Sequence, residues 1–417
     1  MDLDHLFRRQ SGQILAALTR ALGARHLQLA EDAVQDALVA ALQTWPYRGT
    51  PDDPAAWLFQ TARNRALDRL RHAAIVSAKT PAVAALTPAE AAPPDPPRLP
   101  GESAPLDDDE LGMMFLACHP AIGREARVAL VLKLVGGFGV REIARAFLAD
   151  ETAIAQRLVR AKRRLREAGA EFAPPGRADL ADRLDAVLEA VYLMFNEGYA
   201  ATAGDRVIRE DVAGEAVRLA RLLAAHPETG VPRSHALHAL VCLHAARFPA
   251  RAASDGALYL LRDQDRAAWD RGLVAEGMRA LDRASTGDRV SAYHLEAGIA
   301  ACHAVAPTFD ATDWPQILSL YDDLLALTAS PIVALNRAIA VSRVHGARAG
   351  IDALAEVERD PALAGYHPLK TVLAELWREA GDARKARAYL DLALASAMSG
   401  PERRLLEARR EGADNSL

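Results

Sequence analysis

Residues 29–45 read LAEDAVQDALVAALQTW, and the apolar positions Ala30, Ala33, Val34, Ala37, Leu38, Ala41, Leu42 and Trp45 recur at the i, i+3, i+4 spacing of one helical face. That face is expected to be core. The opposite side sets Asp32, Gln35, Asp36 and Val39 at one-turn spacing, an acidic and polar surface with one apolar residue. Taken alone, such a surface is an ordinary solvated face. A turn-rich stretch, WPYRGTPDD at 45–53, follows, and Asp53 with Pro54 supplies the N-cap and first-turn proline of a second helix expected to run to about His72. Leu58, Phe59, Ala62, Ala66 and Leu70 form its apolar side. Asn64, Asp68 and Arg71 lie on another side, with Arg63, Arg65 and Arg69 nearby. Arginines beside an aromatic-containing loop suit phosphate contact and stacking on single-stranded nucleic acid.

The whole chain shares this helical bias. Its 417 residues are 51% apolar but only 5% aromatic. Alanine, leucine, arginine and glutamate dominate, and these lose little rotamer freedom in a helix. An all-α protein of two to four domains is expected. The N-terminus MDLDHLFRRQ has no basic start followed by an apolar run, and no window reaches the roughly 18 apolar residues of a membrane span, so a cytoplasmic protein without membrane attachment is expected. Cys118, Cys242 and Cys302 are odd in number and far apart, which suggests neither a disulfide framework nor a CxxC metal site.

Punctuation divides the chain. Eight prolines lie between Pro81 and Pro105, and Ala173 to Gly176 reads APPG. Proline blocks helix continuation, so the expected units are 1–73, a Pro-rich linker at 74–106, 107–170, and an extension at 178–417. Charge divides it as well. The net −5 splits into +2 for residues 1–177 and −7 for 178–417, and residues 152–170 hold six basic side chains and one acidic one. A local basic stripe on a mildly acidic protein is a nucleic-acid footprint with a single address.

That stripe sits on a helix-turn-helix pattern: a short helix at 140–147, a turn at 148–150, and a second helix from Glu151 to about Arg166. Ile143, Ala144, Ile154 and Leu158 would fix the two helices, and the start of the second would enter the major groove. Thr152, Ala153, Ala155 and Gln156 are then candidates for base edges. Arg157, Arg160, Lys162, Arg163 and Arg164 are candidates for phosphates, which set affinity and register.

Two blocks in the first unit, EDAVQDAL at 31–38 and PAAWLFQTARNRALDRLR at 54–71, resemble region 2 of extracytoplasmic-function sigma factors of the sigma-70 family. EIARAF at 142–147 and IAQRLVRAKRRL at 154–165 resemble region 4. The resemblance implies that Asp32, Gln35, Asp36 and Val39 bind core RNA polymerase. It implies −10 promoter DNA for Trp57, Asn64, Arg65, Asp68 and Arg71, and −35 DNA for the second helix of the helix-turn-helix. VYLMFNEGY at 191–199 and CHPAI at 118–122 are similar to the subgroup that carries a long tetratricopeptide-like extension, implying that the extension controls sigma activity in place of a membrane anti-sigma factor; its candidate partners are a regulatory protein, the sigma domains of the same chain in an intramolecular contact, or polymerase itself. Periodicity supports helix pairs at 293–327, 331–359 and 366–397. In the last pair Leu373, Ala374, Trp377, Ala386, Leu390 and Ala393 take the large and small packing positions, with a turn at Gly381 and Asp382. Gly350 stands where the preceding pair should carry its small residue.

Rival readings find less purchase. His235, His238, Cys242 and His244 share one helical stretch, but no carboxylate lies at metal-binding spacing, so no metal or other cofactor is expected. Asn196, Glu197 and Tyr199 form a polar knot readable as a ligand pocket or a buried hydrogen-bond network. There is no GxxxxGK[ST], HExxH or GxSxG, and catalysis has no visible seat. A regulator with one helix-turn-helix and a sensing domain would leave the blocks at 31–38 and 54–71 without a purpose.

Overall fold

The structure, a computed structural model, describes residues 3–78, 106–147, 149–172, 177–199, 209–251, 259–363, 365–396 and 400–414. The Pro-rich stretch 79–105 and the break at 173–176 lie outside them. The fold is all-α: every regular element among the described residues is an α- or 3-10 helix. The chain divides into two compact units, Met1–Val191 and Tyr192–Leu417.

The first unit holds α1 (Leu3–Leu22), α2 (Leu27–Arg48), α3 (Pro54–Ala78), α4 (Leu106–Ala117), α5 (Arg124–Leu134), α6 (Val140–Ala146), α7 (Glu151–Glu167) and most of α8 (Arg177–Tyr199). α2 starts two residues before the expected point and runs past Pro46 to Arg48. A proline that close to a helix end forfeits one hydrogen bond without breaking a long ladder. Gly49, at φ 83°, then ends the helix. Asp53 caps α3 through the Ala56 amide at 2.9 Å, and α3 continues to Ala78, into the stretch read as linker.

α2 buries Ala30, Ala33, Val34, Ala37, Ala41 and Trp45, but Leu42 is 60% exposed rather than core. At about 100° per residue the buried positions fill an arc of roughly 120°, and Leu42 falls about 120° from its centre. It stands instead beside Val39, itself 52% exposed.

Where the sequence separates 1–73 from 107–170, the helices of both stretches pack into one body. α1 lies on α2 and α3 and also on α4 and α5. Arg20 of α1 pairs with the buried Asp109 of α4 at 3.1 Å. Gly12 marks the closest approach: a Cβ there would lie 2.0 Å from the Val135 carbonyl oxygen.

The second unit carries α9 (Glu210–Ala225), α10 (Pro232–Ala245), the single turn α11 (Phe248–Arg251), α12 (Arg271–Ala284), α13 (Ala292–Val305), α14 (Trp314–Thr328), α15 (Pro331–His345), α16 (Ala347–Leu354), α17 (His367–Glu379), α18 (Ala383–Leu394) and α19 (Gly400–Asp414). α10 packs on α9, α12 and α13, and from α13 onward each helix packs on its successor. Gly350 has its reason in the α15–α16 approach. A Cβ there would meet the Ser342 Cβ at 2.6 Å and the Ala338 carbonyl oxygen at 3.1 Å, so hydrogen is the only substituent that fits without a shift.

The Gly12 contact gives the first unit a sharp test. Alanine favours an isolated helix over glycine by about 1 kcal/mol, whereas an added methyl group against fixed backbone costs about 1–3 kcal/mol. Gly12→Ala is therefore expected to lower the stability of the first unit and to raise hydrogen exchange in α4 and α5. A stabilised variant with unchanged exchange would show that α1 does not approach Val135 in solution.

Candidate nucleic-acid interface

On α2, Asp32 and Asp36 do not face open solvent alone. The α2–α3 crossing brings Arg69 to Asp36 at 2.5 Å and to Asp32 at 3.6 Å, and Arg65 to Asp36 at 3.7 Å. Gln28 donates to Asp32 at 2.9 Å. The two aspartates read as polymerase contacts thus share one cluster with Arg65, read as a −10 contact. Gln35 and Val39 stay exposed at its edge with Leu42. Further along α3, Asn64 and Asp68 are exposed and Arg71 pairs with Asp68 at 3.2 Å. Trp57 is partly buried and packs edge-on against Trp45 with ring centroids 5.5 Å apart, which anchors the base of α3 on the end of α2.

The helix-turn-helix is built as its pattern demands. Ile143, Ala144, Ile154 and Leu158 are buried. Asp150 caps α7 by accepting from the Thr152 and Ala153 amides at 2.8 and 3.2 Å. Hydrogen bonds from the Thr152 side chain and from these amides hold its carboxyl below the usual carboxylate range. Thr152, Ala153 and Gln156 are exposed and Ala155 half-buried. Arg157, Arg160 and Arg164 line a hollow of about 350 Å³ with Gly123 and Arg124 at the start of α5. Arg157 is engaged there by Glu125 at 3.0 Å, and Arg163 pairs with Glu167 along its own helix at 3.5 Å.

Lys162 behaves differently. Its side chain is 15% exposed and reaches across to α2, where it donates hydrogen bonds to the carboxylate of Glu31, 8% exposed, and to Gln28 at 3.1 Å. Lys133 of α5 lies 3.8 Å from the same carboxylate. In this arrangement Lys162 holds α7 against α2 and is not presented to a phosphate. Residue spacing could not signal the link, because Lys162 and Glu31 are 131 positions apart.

In the second unit, the His235–His244 stretch gains a carboxylate from another helix. Glu276 of α12 lies 2.8 Å from His238 Nε2, and one ligand atom each of His238, Cys242 and Glu276 lie within 4.8 Å of one another. That carboxylate is already bound through both oxygens by Arg221, at 2.6 and 3.0 Å, which holds it below its ordinary pKa. The cluster is thereby satisfied as a salt bridge. The polar knot at 196–199 joins a buried network in which Tyr192 bonds Glu296 at 3.0 Å and is hydrogen-bonded by Asn196, while Arg251 stacks on Tyr199 at 3.8 Å. His244 packs edge-on against Tyr199 at 5.1 Å. Burial, then Arg247 and Arg251, hold it down to about 3. Burial, then Arg247 and Arg266, hold His303 down to about 4.

Comparison with known proteins places these elements. Residues 6–74 match the family Sigma-70 region 2, which covers α1–α3 and supports a sigma-70 family sigma factor. Residues 183–285 match a family of unknown function, DUF6596. An uncharacterized protein of Rhizobium meliloti (strain 1021) is 40% identical over 397 residues, which cover 93% of this chain and 92% of the relative. No solved structure matches the chain, and no described helix is long and apolar enough to cross a membrane.

The depressed histidines set an acid limit on the second unit. Because His244 binds its proton more weakly folded than unfolded, its contribution is fully present above about pH 6.5 and is lost as pH falls toward 3, at about 1.4 kcal/mol per pH unit. Burial raises the carboxyls of Glu197 and Glu296, which act in the opposite sense. The difference between His244→Phe and wild type isolates the histidine. Between pH 6.5 and 5.5 the variant is expected to gain about 1 kcal/mol on wild type in chemical unfolding, and a constant difference would refute the burial argument.

Proposed function

The chain belongs to one family with the uncharacterized Rhizobium meliloti protein and carries a sigma-70 region 2, and from that premise we propose that it is an extracytoplasmic-function RNA polymerase sigma factor. On this reading it binds core polymerase and directs initiation at specific promoters, and its helical C-terminal extension regulates that activity. The observation that carries the proposal is the region 2 match lying on α1–α3, with Gln35, Val39 and Leu42 displayed on the outer side of α2. Exposed aliphatic residues beside a charged cluster suit a protein partner.

α7 would read the −35 element in duplex form, with Thr152, Ala153, Ala155 and Gln156 toward the base edges and Arg157, Arg160, Arg163 and Arg164 toward phosphates. α3, with Trp57, Asn64, Arg65, Asp68 and Arg71, would hold the unstacked −10 strand, at a few kcal/mol for unstacking. Elements centred 10 and 35 base pairs upstream are about 25 pairs apart, roughly 85 Å along the duplex. With Lys162 of α7 bound to Glu31 and Gln28 of α2, the two DNA-reading helices are held too close to reach both. Promoter engagement therefore requires release of Lys162 from Glu31, and the 27 residues from 79 to 105 have a contour length of about 90 Å.

Transcription by core polymerase with and without the full-length chain tests the proposal. Promoters with a shared −35 and −10 pattern are expected to fire only when the chain is present, and failure to bind core would refute it. Val39→Arg probes the polymerase face better than a change at Asp36, which is tied to Arg65 and Arg69. It is expected to weaken core binding by at least about 2 kcal/mol with the fold unchanged. Arg160→Ala should lower promoter affinity across sequences and reduce the salt slope by about 1.

A further inference from the structure

The second unit carries a half-open cavity of about 310 Å³ to which α13, α14, α15, α17 and α19 all contribute. One wall is aromatic: Trp314 stands edge-on to Phe309 at 5.2 Å and to His303 at 5.3 Å, and Tyr321 lies two turns further along the same face of α14. Ile339, Val372 and Leu376 supply aliphatic surface. The remaining wall is charged, with Arg262, Arg343 and Arg409 against one lining carboxylate, Glu375. Arg262 and Arg409 approach Glu375 at 2.9 and 3.7 Å. Arg343 reaches Glu379 behind the wall at 2.9 Å, and Asp263 acts on Arg409.

Two features distinguish this hollow from a packing defect. The guanidinium carbons of Arg262 and Arg343 stand 5.9 and 5.8 Å from the centre of the Phe309 ring, which keeps both cations at the cavity edge on a rigid support. Arg343 Nε and His303 Nδ1 are also buried without a hydrogen-bond partner. An unpaired buried N–H of a cation costs more than a neutral one, and a guanidinium edge is shaped to meet a carboxylate. The volume is at the lower end for small-molecule sites.

We propose that this cavity binds a small aromatic carboxylate, its ring against Phe309, Trp314 and Tyr321 and its carboxylate on the guanidinium wall of Arg262, Arg343 and Arg409. The ligand would join four helices of the array, α13, α14, α15 and α17, through one contact set. The assignment does not rest on the transcription reading, and binding is tested without polymerase, so the two stand or fall separately.

The experiment is calorimetry on the full-length chain with benzoate, cinnamate, naphthalene-2-carboxylate and indole-3-acetate, each beside its primary amide. At least one acid is expected to bind with Kd at or below about 100 µM and about tenfold tighter than its amide. Arg343→Met should collapse that preference for the acid. Because Arg343 also holds Glu379, Ile339→Trp serves as the second variant: it fills the cavity without touching an ion pair, and should abolish binding while the far-ultraviolet dichroism stays that of wild type. The proposal is overturned if no acid binds below about 1 mM, if the amides match their acids, or if Ile339→Trp binds as wild type does. Binding of an extended acidic peptide with none of the four acids bound would overturn it equally.

Discussion

A buried carboxylate on α2 organises the first unit. Glu31 has left water, and its negative charge is tolerable only because Lys162 and Lys133 come with it from α7 and α5. Removing one partner of such a group costs about 3–5 kcal/mol, far more than the pair contributes over an apolar substitute. Glu31 therefore specifies which surface of α7 may lie on α2 more than it stabilises the fold. Gly12 acts on the same packing from α1, where the backbone around Val135 comes too close for any side chain.

The geometry of α2 shows how one helix serves several neighbours. Turning about 100° per residue, it presents Ala30, Ala33, Val34, Ala37 and Ala41 to the core, then Glu31 to α7, then Leu42, Gln35 and Val39 outward, then Asp32 and Asp36 to the arginines of α3. The outward strip lies between two ion-paired strips. A partner seated on it would touch the α7 latch on one side and the α3 arginines on the other. On the proposed reading, polymerase binding would thus be coupled to both DNA-reading helices through residues one turn apart.

What could be read from sequence was local. The Asp53 cap, the buried junction of α6 and α7 and the helix starts at Ala292, Pro331 and His367 all follow from periodicity and capping within a few residues. Leu42 was misplaced because an apolar residue at i+4 from Leu38 looks like core until the arc of the stripe is measured. α2 runs past Pro46 although proline forfeits the hydrogen bond to the Leu42 carbonyl. Glu31, Lys133 and Lys162 were opaque for another reason: each is an ordinary charged residue on its own helix, and only packing between distant segments removes them from water. Glu276 joined His238 in the same way, 38 residues along the chain.

The two units handle buried charge by different means, and the difference bears on what can move. In the first, few charges are buried and they link segments that are far apart in sequence, so a single exchange of partners could release α7 while each helix kept its own core. In the second, neutral histidines, the Arg221–Glu276 pair and the arginines around Glu375 are spread over many helices. No single rupture frees one helix there. Such an array responds by small adjustments shared among neighbours, and a ligand in the cavity between α13 and α19 would act on several of them together.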